Sequence, residues 1–171
     1  MIYDTLILYE QELILYGYDK MSLDNQNRLV TFIGKKLGIP SMSLRPEHVL
    51  QYHKDLKKSM MNEFYEIDIA KGFKATNGHT YRTNTDDQIN FLGRMLMLYL
   101  KPDIQEVNWK PEDLDEYLLH TREEWLQVAS EGFAHKESQL MKYNEKTTAI
   151  RNATTHDQIV AVSWGGTYPH K

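Results

Sequence analysis

The chain has 171 residues, 41% of them hydrophobic and 26% charged, and a formal net charge of −4. That length suffices for a real core, in one domain or in a small helical module beside a second domain, burying about 70% of the unfolded surface. The absence of cysteine excludes disulfides, thiolate catalysis and cysteine–zinc sites, and neither half has the basic excess that broad phosphate-backbone binding needs.

Residues 1–71 read as three helices. Ile2, Leu6, Tyr9, Leu13 and Tyr16 repeat at intervals of four and three, which is one helical face, and Gly17 favours a stop. A pair of strands, Leu6–Tyr9 and Leu13–Tyr16 around a polar turn, is the alternative. Asp4, Glu10 and Glu12 interrupt this apolar segment, so it predicts neither a signal peptide nor a membrane span. Ser22 is placed to cap a second helix with Leu29, Phe32, Ile33 and Leu37 inward, ending at Gly38 and Pro40. Pro46 suits the first turn of a third. Val49, Tyr52, Leu56, Met60, Phe64 and Ile67 form its apolar stripe, and Lys54, Lys57 and Lys58 read as a solvated face.

The grammar changes at Phe73. Asn77-Gly78 between Phe73–Thr76 and His79–Thr83 predicts a hairpin closed by a type I′ turn. Thr85 and Gln88 have the spacing of a capping box, with Asp86 and Asp87 in the first turn. The helix they start is expected to run to Leu100, with Ile89, Leu92, Leu96 and Leu100 on one side and Met95, Met97, Leu98 and Tyr99 widening the apolar surface. A helix this apolar calls for broad cover, from its own domain or from a partner. Ile104–Lys110 and Glu116–His120 predict a second strand pair across the acidic connection Pro111–Asp115. A second box, Thr121 with Glu124, opens the longest helix, about Arg122–Asn152, anchored by Trp125, Val128, Phe133, Leu140, Tyr143 and Ile150. A third box, Thr155 with Gln158, starts a short segment leading to Trp164, and a loose tail follows from Gly165.

The expected architecture is therefore α+β. A helical N-terminal region (1–71) precedes a domain (72–164) with a small antiparallel sheet of two hairpins packed with two to three helices, and 165–171 form a flexible tail.

Few side chains advertise chemistry. The seven histidines make no compact ligand motif such as H-E-x-x-H. His48 and His53 are five apart on a helix and do not share a face. Glu112, Asp113, Asp115 and Glu116 lack the glycine and spacing of a calcium loop and read as a polar turn. No G-x-S-x-G elbow occurs, and Gly165-Gly166 opens no helix that could cradle phosphate. Lys74, His79, Tyr81 and Arg82 are a mix that can stack on nucleobases. Tyr81, Trp109, Trp125 and Trp164 read as aromatic anchors of the scaffold. Eleven tyrosines and the methionines on apolar faces are types common at adaptable interfaces. The residues thus predict no catalytic, cofactor or metal site.

The elements G-F-K-A-T-N-G-H-T-Y-R-T with D-D-Q-I-N, then E-V-N-W-K, T-R-E-E-W-L and N-A-T-T-H-D-Q-I-V-A-V-S-W, resemble in order and spacing an uncharacterised bacteriophage domain family associated with tail-fibre and tail-assembly genes. The resemblance covers about residues 72–164 and carries no catalytic residues. It implies a non-enzymatic tail or baseplate accessory component, or a tail-fibre assembly factor. Such a protein would work by contact with other phage tail proteins or sister copies, in the host cytoplasm during assembly or in the virion, and neither membrane nor nucleic acid is expected as a partner. The alternative is a small phage-encoded regulator or inhibitor of a host protein or nucleic acid.

Overall fold

The computed structural model describes residues 2–165. The tail from Gly166, with His170, lies outside the described residues, as do Met1 and the side chain of Ile2. The fold is α+β, in two compact units. Among the described residues, one is built from 2–64 and 143–165, the other from 65–142. The division does not follow the expected boundary at 71/72, because two long helices, α4 (Pro46–Lys71) and α6 (Arg122–Asn152), each contribute to both units.

The first unit is helical. α1 (Ile2–Thr5) and α2 (Leu8–Tyr16) replace the single helix expected before Gly17, and no hairpin forms there. The break falls at Ile7, whose backbone is extended and whose amide donates to the Glu10 carboxylate. Periodicity cannot register such a cap. Leu13 and Ile14 are fully buried whereas Tyr16 is exposed, so the inward face is rotated from the one expected. α3 (Leu23–Leu37) starts as expected: Ser22 Oγ accepts from Asn25 N. It stops at Gly38, whose φ of 69° is left-handed. Leu37 is exposed, not inward. Leu13, Met21, Leu29, Ile33 and Val49 form this unit's core, with Tyr9, Phe32, Tyr52 and Leu56 packed against it. α7 (His156–Ala161) opens with the expected box, Thr155 and Gln158 exchanging side-chain and backbone hydrogen bonds. Trp164 is buried.

The second unit holds two separate two-stranded antiparallel sheets and not one small sheet. β1 (Phe73–Lys74) pairs with β2 (Thr80–Tyr81), and β3 (Glu106–Trp109) pairs with β4 (Leu118–Thr121). The first turn is not type I′. Gly78 has φ 91°, but no described residue other than glycine has positive φ. Gly78 N donates to Ala75 O and Ala75 N to His79 O, leaving Thr76, Asn77 and Gly78 as a three-residue loop. Asn77 shapes it from the side chain, its Oδ1 accepting from His79 N at 3.1 Å. α5 (Thr85–Leu100) is capped one residue earlier than expected. Asn84 Oδ1 accepts from Asp87 N, and Gln88 Nε2 donates to Thr83 O. Thr85 is the first helical residue and caps nothing. The Thr121–Glu124 box is formed at the start of α6. Tyr81, Phe91, Leu98, Val107, Trp125, Val128 and Ala129 make the core, with Trp109 half-buried against it. The rings of Phe91, Trp109 and Trp125 meet at 4.7–5.7 Å between centroids.

Candidate interaction surface

The structure buries one side of α5 and leaves much of its apolar surface exposed. Phe91 and Leu98 are buried with Met95 packed beside them, while Ile89, Leu92, Leu96, Tyr99 and Leu100 are 55–82% exposed. At 100° per residue Ile89, Leu96 and Leu100 lie about 140–180° from Phe91, and Leu92 and Tyr99 about 80–100° from it. Phe91 and Leu98 are seven apart and so lie close in azimuth. Ile89, Leu92, Leu96 and Leu100 are separated by three, four and four, the spacing of one face of a helix. The sequence shows an apolar surface all round, and the aromatic cluster of Trp109 and Trp125 selects the Phe91 side for the core. Phe133 and Leu140, expected as anchors of α6, are also exposed.

The helix that bears this face is fixed at both ends. Asn84 caps its start. Arg122 donates to Leu98 O at 2.8 Å and to Ile104 O at 3.1 Å, satisfying a free carbonyl of the last turn and placing a cation at the negative end of the helix. Lys136 donates to the Gln88 amide oxygen. Along its flank the helix borders an open groove of about 760 Å³, between Ile89, Gly93, Arg94 and Met97 on one side and Trp109 and Tyr117 on the other. Gly93 sits at mid-helix on the exposed side, and no described atom lies within 4 Å of where its Cβ would be.

Two buried polar clusters lie elsewhere. In the second unit, Asn77 Nδ2 donates to Tyr81 Oη at 2.8 Å, and Tyr81 Oη lies 2.7 Å from His120 Nε2. His120 Nδ1 lies 2.9 Å from Leu118 O. A carbonyl only accepts, so Nδ1 carries the proton and Nε2 accepts from the tyrosine. Burial pushes the Tyr81 hydroxyl pKa up. In the first unit, His53 and His156 stack with Nδ1 atoms 3.0 Å apart. Lys57 is fully buried, its ammonium 3.4 Å from Val160 O, which corrects the expected solvated face. Burial, with the charges of His156 and Lys57, holds His53 down at about 3, and burial holds Lys57 at about 8. No spacing pattern could have joined His53 to His156, 103 positions apart.

The other candidates do not converge. Tyr81 is in the core, Arg82 is paired with Glu112 at 3.1 Å, and His79 with Asp113 at 3.0 Å. These residues cannot form the stacking platform that their types allow. Asp113 also accepts from Thr80 N, which with the His79 contact holds its carboxyl below the usual range. Asp113 and Glu112 thus tie the β3–β4 connection to β2. Among the described residues no group of three or more histidine and carboxylate side chains is arranged to hold a metal ion. No helix among them is long and apolar enough to cross a membrane.

Residues 52–163, more than half of the chain, match a family described as a domain of unknown function, DUF4376. The chain belongs to the DUF4376 family. This is the uncharacterised, phage-associated family of the resemblance, linked to tail and tail-assembly gene neighbourhoods. The match starts about twenty residues before the stretch that carried the resemblance, so it takes in most of α4 along with α5 and α6. No match emerges from the curated proteins or from the solved structures.

Proposed function

We propose that this DUF4376 protein is a non-enzymatic, tail-associated phage component, an accessory of the tail or baseplate or a factor in tail-fibre assembly, and that it works by protein–protein contact. The exposed apolar face of α5 carries this reading. Five large apolar side chains on one capped, anchored helix exceed what a soluble surface ordinarily displays in one patch. The buried polar clusters support it too. Their groups pair with one another or with backbone carbonyls and do not line the groove beside α5, although His53 Nε2 is buried without a partner among the described residues and His156 borders a second pocket. The protein acts in the host cytoplasm during assembly and is retained in the virion if it is a structural component.

Mass spectrometry of purified virions, with pull-downs from infected cells using the intact chain, tests the proposal. Tail or tail-fibre proteins should co-purify, and Leu96→Glu on the α5 face should release them. Absence from both virions and tail pull-downs, with early expression and capture of a host factor, would sink it in favour of a host-directed regulator.

A further inference from the structure

We infer that the α5 face binds a second copy of this chain, with the two α5 helices packed antiparallel about an axis close to Gly93. The inference rests on the reading of α5 as a contact surface and names the occupant.

Area is the first argument. Ile89, Leu92, Leu96, Met97, Tyr99 and Leu100 are all exposed, and Tyr117 stands exposed across the groove. Taking a fully exposed large side chain as roughly 150–250 Å², these residues present on the order of 800 Å², which is what each partner of a standard-size interface contributes.

Gly93 is the second. Glycine inside an exposed helix costs about 0.5–1 kcal/mol relative to alanine. Here φ is ordinary and nothing among the described residues requires the missing Cβ. A second helix crossing at that point does, because small residues let two backbones approach closely. Gly93 lies between Leu92 and Leu96 on the exposed side, near the midpoint of that face.

Charge supplies the orientation. Exposed Asp86 stands at the start of α5 and exposed Lys101 at its end. Antiparallel packing about the midpoint sets Leu92 against Leu96 and Ile89 against Tyr99, and brings the helix end that bears Asp86 in each copy to the end that bears Lys101 in the other. It also opposes the two helix dipoles. Parallel packing would bring Asp86 to Asp86 and Lys101 to Lys101. A two-fold interface of this kind is self-complementary and closes on itself.

Sedimentation equilibrium of the full chain tests the inference. Wild type should sediment at twice its 20.2 kDa chain mass. Leu96→Glu should weaken the dimer on the order of a hundredfold. Gly93→Leu should give a monomer whose circular dichroism and melting are those of a folded protein, since the new side chain meets open space. Asp86→Lys and Lys101→Asp should each weaken association by about three- to tenfold, and the double reversal should restore it. A wild-type monomer at high micromolar concentration overturns the inference. So does a dimer indifferent to Leu96→Glu, or a double reversal no better than either single change. A monomer that still captures a tail protein through α5 overturns the second copy and leaves the wider proposal standing. A dimer with the expected variant pattern, absent from virions and tail pull-downs, upholds the second copy and overturns the wider proposal.

Discussion

Asn77, Tyr81, His120 and the Leu118 carbonyl form a one-way chain of hydrogen bonds, buried at its Tyr81–His120 link, that joins the β1–β2 loop to β4. Removing its central hydroxyl strands an acceptor on buried His120, while the donor of exposed Asn77 turns to water. Tyr81→Phe should therefore cost about 1–3 kcal/mol, measured by urea unfolding, although the ring keeps its packing. A cost below a few tenths would mean that water replaces the hydroxyl. His53 and His156 make a second prediction. Both are held neutral by burial, His53 at about 3 and His156 below its ordinary value despite the opposing charges of Asp19 and Asp157. A histidine whose folded pKa is depressed takes up its proton in the unfolded chain first. Stability is therefore lost as pH falls below about 6.5, for His53 down to about 3 and by up to about 1.4 kcal/mol per pH unit, with His156 adding to the loss in the same direction. Lys57 has the same sign at higher pH, stability rising from about 8 to 10.5 as the unfolded chain loses its proton. Denaturant melts at pH 7 and pH 5 should differ in this direction, and His53→Gln should flatten the difference. An unchanged midpoint between those two pH values would show that the pair is already charged when folded.

α5 shows at the scale of one element how far sequence alone can be read. Its existence and its end before Pro102 follow from capping residues and apolar content, and Arg122–Asn152 and the Thr155–Gln158 box follow in the same way. Its sidedness does not follow. When apolar residues occupy most azimuths, the buried face is chosen by partners distant in sequence, here Trp109 and Trp125. The cap was missed for a related reason, since Asn84, Thr85 and Gln88 offer two overlapping caps and local spacing cannot rank them. The geometry can. Asn84→Ala should cost about 1 kcal/mol, within the range of lost helix caps, whereas Thr85→Ala should be near neutral or slightly stabilising. Thermal unfolding of the two single variants decides the point, and the reverse order would return the cap to Thr85.

At the scale of the molecule, the α+β class and the order of elements are legible from periodicity and turn residues. The division into units is not, because α4 and α6 are each read as one helix although each serves two cores. The face on α5 is legible as residues and illegible as a surface: the same leucines would have made an ordinary core. If that face pairs two copies, association and folding are linked by mass action. The melting temperature of wild type should then rise with protein concentration, and that of Leu96→Glu should be flat over the same range. A wild-type midpoint independent of concentration between micromolar and hundreds of micromolar would show that nothing associates on folding.

The placement of the three tryptophans gives the chain its own optical reporters. Trp125 is sealed in the core of one unit and Trp164 in the other unit, so both emit from dry surroundings. Trp109 alone is half-exposed, its ring packed at a tilt against that core with one side bordering the groove. Quenching by a small solute such as iodide falls on Trp109 first. Its protection or exposure then records whether anything has settled against α5, with no label attached.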